Sequence, residues 1–230
     1  MKTSIKKSFH FIVLSLFTIC SLFFVSCSDD EIILVEPPLA SATSDQLVNI
    51  PFFVLTADGN MPSNPDDLLY DARMKNPVLA PDGHQVTWAE YSAVRGSINV
   101  DCTEAGVKVN FRVTGLIPDG VYTAWNISVK APGFDPAAEM FNITGIGAAG
   151  KGDGSDNTFV AGPDGTAELT TISKGGPLSM IGEMAHCPLD GQFEWHVVVA
   201  YHIDGKTYGG NIGPDGTVVE QFGFIFQHGN

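Results

Sequence analysis

Cations are scarce in this 230-residue sequence: 12 Lys and Arg stand against 26 Asp and Glu, a formal charge of −14. Such a field repels nucleic acid and anionic headgroups, so a nucleic-acid partner is excluded first. No GxSxG, HExxH, P-loop or GxGxxG-helix pattern occurs, so no enzyme class is marked by motif. A glycosidase pair of carboxylates leaves no sequence trace, so a hydrolase of surface polymers stays open as a third reading. Helical stripes with caps are absent too; residues 65–74 (PDDLLYDARM) have room for one short helical turn. Only four cysteines are present, with no CxxC, which argues against a redox motif.

The longest apolar run, residues 11–25, is too short for a span of about 20 residues. It follows Lys2, Lys6 and Lys7 and ends at Ser26 and Cys27, the three-part form of a secretory signal. FVSC resembles a lipobox, which implies a signal peptide over 1–26 and lipidation of Cys27. The acidic run Asp29, Asp30, Glu31 resembles the export signal of Bacteroidota surface lipoproteins. The expected address is therefore the outer membrane, lipid-anchored (palmitate included) and facing the cell exterior or the periplasm. Residues 27–46, with Pro37, Pro38 and the small polar run 40–44, read as a flexible tether. Residues 47–230 then form one domain, long enough for one buried core.

Loss of the three signal lysines leaves 9 basic and 26 acidic residues, a charge of −17. Cys20 leaves with the signal and Cys27 takes lipid. Cys102 and Cys187 remain as an even pair in an oxidising compartment, and a disulfide is the first expectation. Two separate buried thiols are the alternative.

Turns dominate what is present. Asp-Gly occurs at 58, 82, 119, 153, 164, 190, 204 and 215, four times as Pro-Asp-Gly. Pro presets the first turn angle, Asp caps its own backbone and Gly accepts positive φ. Between turns the apolar period is two. Val107, Val109, Phe111 and Val113 share a face, as do Val121, Trp125, Ile127 and Val129. So do Phe193, Trp195, Val197, Val199, Tyr201 and Ile203, and so do Phe222, Phe224 and Phe226. The pattern predicts an all-β antiparallel sandwich of about eight or nine strands with Greek-key-like connections, a closed barrel being the alternative. GPDGT recurs at 162–166 and 213–217, read as convergent turn chemistry because the flanks differ.

Three groups are candidate sites. His84, His186, His196 and His202 are candidate copper or zinc ligands, His186 standing beside Cys187 and near Met180 and Met184. His228 is a further histidine of the mature chain. His196 and His202 are six apart on one strand, about 20 Å, and need separate partners. The loop GKGDGSDN offers Asp153, Ser155, Asp156 and Asn157 as oxygen ligands for calcium. Trp88, Tyr122 and Tyr208 are candidates for a glycan- or protein-binding surface, their rings offering flat apolar faces.

Residues 76–83 (NPVLAPDG) with His84, VTWAEYSAV at 86–94 and VTGLIPDGVYTAW at 113–125 resemble a poorly characterised family of secreted bacterial and archaeal β-sandwich proteins. The GxDGT turn at 162–166 and the late strand with Glu194, His196 and His202 match it as well. The resemblance implies the sandwich fold and singles out His84, His196 and His202, without an activity. The expected function is a non-catalytic, lipid-anchored binding domain for a glycan, protein or peptide. A histidine-based copper or zinc protein is the alternative.

Overall fold

The computed structural model describes residues 40–44, 46–130, 142–191 and 193–226. The expected signal peptide, Cys27, most of the expected tether and His228 lie outside the described residues. No described helix is long and apolar enough to cross a membrane.

The fold is an all-β sandwich of two antiparallel sheets. One has four strands in the order β1 (Ala40–Ser44), β5 (Arg95–Thr103), β6 (Gly106–Thr114), β10 (Ala167–Ser173). The other runs β11 (Gly176–Pro177), β12 (Ile181–Met184), β8 (Ile143–Ala148), β7 (Val121–Val129), β13 (Glu194–His202), β14 (Val218–Phe226), β2 (Leu47–Asn49). Its eighth strand, β9 (Thr158–Val160), follows β8 along the same edge of β7. β13 returns to lie beside β7, the Greek-key-like step. A small ladder of β3 (Val54–Leu55) and β4 (Tyr70–Asp71) lies apart. The strands exceed the eight or nine expected because β2, β3, β4, β9, β11 and β12 hold two to four residues each, too few to show a period.

Two expectations change. Residues 40–44 are an edge strand, not tether. Ala40 and Ala42 pack on the core, while Ser41 and Thr43 donate to Asp101 Oδ1 at 2.7 Å and Asn99 Oδ1 at 2.8 Å. Residues 65–74 are not helical. The Asp67 carboxylate takes the Ser63 and Asn64 N–H groups, and that of Asp71 takes Arg73, Met74 and Asn76. Such local bonds compete with a helix. The helix is instead α1 (Trp88–Tyr91), started by a Thr87/Glu90 capping box.

The core lies between the two sheets. Phe111 of β6 meets Phe224 of β14 at 6.1 Å, and Tyr122 stacks on Phe159 at 5.3 Å. Polar ties cross the same space: Asn126 Nδ2 donates to Ser173 Oγ at 2.9 Å, and Tyr91 Oη donates to the Glu220 carbonyl at 2.7 Å. Cys102 and Cys187 form a disulfide across 85 residues. Replacing both by Ala is expected to cost about 2–5 kcal/mol, read as a lowered urea midpoint with a steeper slope, since the unfolded chain freed of the crosslink exposes more surface.

Candidate functional site

β13 decides where a site can form. It lies between β7 and β14, and all nine of its residues are buried. Trp195, Val197, Val199 and Tyr201 face the sandwich core, as the alternation predicts. Glu194, His196, Val198, Ala200 and His202 face the other way, and something must cover them.

The register shows what lies beside them. Val198 pairs with Trp125 and His196 with Ile127, so these β7 residues stand on the far side of the sheet. The expected inward face of β7 is thus the wrong one. Tyr122 and Ala124 point into the sandwich, while Trp125 joins Ala148, Ala200 and Val218 in a second apolar cluster. β14 switches face by a bulge opposite Val199/Ala200. Phe222 and Phe224 therefore stay in the main core while Glu220, two residues from Phe222, lies on the far side beside Ala200.

The β13–β14 connection, residues 203–217, roofs this second cluster. Ile212 packs on it, and the Tyr208 ring lies 6.2 Å from that of His202. The roof is locked to the GKGDGSDN loop: a Cβ on Gly154, whose φ is +73°, would overlap the Gly209 backbone. The two GPDGT copies serve different ends here. Asp164 of the first accepts from Thr166 N and Oγ1. In the second, Thr217 Oγ1 donates to the Pro214 carbonyl at 2.7 Å, and Asp215 meets Arg73 at 3.2 Å.

Under the roof is a cavity of about 320 Å³, lined by Trp125, Ile127, Ile146, Val198, Met180 and Ile212 and bordered by Arg73, Asp215 and Glu220. Trp125 is 1% exposed, and its Nε1 donates to Thr123 Oγ1 at 2.8 Å. Thr123 Oγ1 in turn sits 2.8 Å from His202 Nε2. We assign the Thr123 proton to that nitrogen, which leaves a neutral ring protonated at Nδ1. Burial pushes the His202 pKa down to about 4. Glu220 is 7% exposed, and burial pushes its carboxyl up to about 7 against the pull of Arg73. Its Oε1 is 3.5 Å from Arg73 Nη2, and its Oε2 has no hydrogen-bond partner.

The histidines are dispersed. His84 is exposed and clamped, Nδ1 2.6 Å from Asp82 and Nε2 3.0 Å from Glu90. The Asp82 bond holds its pKa above the usual value. The clamp therefore contributes fully below the unfolded pKa near 6.5 and is lost as pH rises through the higher folded one. An NMR titration of the His84 ring is expected to show a midpoint above 6.5, returning towards that value in Asp82→Asn. His186 is exposed and donates to the Thr103 carbonyl at 2.9 Å, while Cys187 is held by its disulfide. His196 Nε2 pairs with Glu194 Oε1 at 2.5 Å, and burial pushes the ring's pKa down. Among the described residues, no three His, Cys, Asp or Glu stand close enough to hold a metal ion.

The oxygen-rich loop is turned onto its own backbone. Asp153 accepts from Ser155 N at 2.9 Å and Asp156 from Lys151 N at 2.7 Å. Asn157 is buried and donates to the Ala124 carbonyl at 3.1 Å. A larger cleft of about 710 Å³ lies beside it, between β10 and β11, but Ser173 and Asp156 on its wall are already engaged. Of the aromatic candidates, Tyr122 is wholly buried with its hydroxyl accepting from Ile117 N, so it offers no ligand surface. Trp88 is half-buried on Tyr91, and Tyr208 donates to Asp204 Oδ2 at 2.5 Å.

The residues the alternation missed are Arg73, Asp215 and Glu220. Their one sequence trace is Glu220, an acid inside the apolar run VVEQFGFIF. Compared with known proteins, the chain matches no family model and no curated protein.

Proposed function

We propose that this protein is a non-catalytic binding domain of the cell envelope, tethered to the outer membrane through lipid on Cys27, whose ligand enters the roofed cavity over Trp125. The observation that carries the binding reading is the cavity itself: an apolar floor with a few convergent polar groups, one of them a buried carboxylate oxygen with no partner. Of the other buried polar groups of this face, Trp125 Nε1 is met by Thr123 and His196 by Glu194, while His202 Nδ1 has no hydrogen-bond partner. The anchor rests on the signal-like residues 1–26 and the lipobox-like FVSC.

Intrinsic fluorescence tests the site. The protein has three tryptophans, and Trp125 alone lines the cavity. A ligand found by screening glycans, peptides and small organic molecules is expected to change the emission of the protein and of Trp88→Phe, but not of Trp125→Phe. A ligand whose signal survives in Trp125→Phe would place binding elsewhere. Intact-mass analysis of the envelope-purified protein tests the anchor: diacyl or triacyl mass on Cys27, lost in Cys27→Ser.

A further inference from the structure

The polar border of the cavity carries an unbalanced charge. Arg73 is the cation there, and its guanidinium is divided: 3.2 Å from Asp215, 3.5 Å from Glu220, and stacked 5.5 Å above the Phe53 ring. Two carboxylates thus share one guanidinium, and the deeper of them keeps Oε2 without a donor. A buried acceptor left unpaired is costly, and more so when ionised. The Tyr91 hydroxyl offers no relief, since it is committed to the Glu220 backbone carbonyl. Beyond these charged groups the walls are mostly hydrocarbon and indole, Trp125, Ile127, Val198 and Ile212, with the exposed Asn211 at the edge, its Oδ1 accepting from Gly213 N. Around all of it the chain is strongly acidic, which concentrates cations near its surface.

We propose that the cavity binds a small organic cation with an apolar body, a primary alkyl- or arylalkylammonium, whose N–H groups donate to Glu220 while its carbon skeleton lies on Trp125 and Val198. The inference rests on the binding reading above and names its ligand class. An ammonium supplies up to three donors on a compact charge, so it can meet Oε2 and carry a compensating charge in one group. The cavity, at about 320 Å³, holds a single-ring amine and little more.

Three near-isosteric probes separate the outcomes: phenethylammonium, 2-phenylethanol and phenylacetate, titrated calorimetrically into the purified protein at pH 8. Phenethylammonium is expected to bind at least about tenfold more tightly than 2-phenylethanol, the size of one charge-assisted hydrogen bond, and phenylacetate not at all. In Glu220→Gln the amine's advantage over the alcohol is expected to vanish. Equal affinity for amine and alcohol overturns the ligand class while leaving a neutral-ligand cavity in place. An unchanged amine affinity in Glu220→Gln, with circular dichroism showing a folded variant, also overturns it. Silence from all three probes overturns it together with the cavity as a site for ligands of this size. The comparison of amine with alcohol uses the unaltered protein, so it does not depend on any variant folding.

Discussion

Glu220→Gln is expected to stabilise the protein at pH 8 by about 3 kcal/mol and to leave it unchanged at pH 4. Burial raises the Glu220 carboxyl from 4.5 to about 7 in the folded state. The folded protein therefore holds this proton where the unfolded chain has released it. The stability that comes with the neutral carboxyl is complete below about pH 4.5 and is lost as pH rises through 7. Glutamine keeps the shape of the neutral form and never ionises, so the loss disappears. His202 has the opposite sign. Its pKa is pushed down to about 4, so its contribution is present above the unfolded value of 6.5 and is lost as pH falls through 4. In the native protein the two groups oppose each other between about pH 4.5 and 6.5, which flattens the profile. In Glu220→Gln the acid-side fall from His202 is no longer offset. Urea unfolding of both proteins at pH 4, 6 and 8 checks this. Other carboxylates are common to both, so the difference curve isolates Glu220.

Trp125→Ala is expected to cost about 3–5 kcal/mol, as much as emptying a site in the main core. An indole on a solvated sheet face would cost well under 1 kcal/mol. The large figure follows from the roof: Trp125 is 1% exposed and packs with Ala148, Ala200 and Val218 beneath Ile212. Trp125→Phe refills most of the volume but drops the bond to Thr123, so about 1–2 kcal/mol is expected. Equilibrium unfolding monitored by circular dichroism supplies both numbers. A cost below 1 kcal/mol for the alanine variant would mean that residues 203–217 do not close over the sheet.

Much of the sandwich was legible because its strands keep strict alternation. Val107 to Val113 on β6 and Trp195 to Tyr201 on β13 point where their period places them. The cysteine pair was legible from parity together with the expected oxidising compartment. The far face was not, for two physical reasons. On β7 both faces carry bulk: Tyr122 and Ala124 on one side, Trp125 and Ile127 on the other, with polar Asn126 tolerated inside because Ser173 meets it. Period alone cannot orient such a strand. On β14 the bulge at Glu220 and Gln221 shifts parity by one, which carries Glu220 away from the phenylalanine face it shares by simple alternation. The roof comes from a turn-rich loop without a period, and its contact with residues 150–157 depends on close backbone approach at glycine, which the sequence marks only as GKGDG and YGG.

The resemblance to secreted sandwich proteins drew attention to His84, His196 and His202. His202 meets the cavity's floor through Thr123, accepting a hydrogen bond there as a neutral ring, and His196 is the cross-strand neighbour of the floor residue Ile127. The chemistry of the face instead gathers on Glu220, the one acid that the fold buries beside the cavity without a full set of donors.

That carboxylate can be read directly. With ¹³C-labelled protein and Glu220→Gln for assignment, the side-chain carboxyl shift followed from pH 3 to 9 reports its ionisation alone. A midpoint near 7 is expected for a carboxyl buried at the cavity beside residues 211–215 with Oε2 unpaired. A midpoint near the ordinary 4.5 would mean that water or a donor reaches Glu220, and the roofed, charge-unbalanced cavity on which the ligand class rests would not exist.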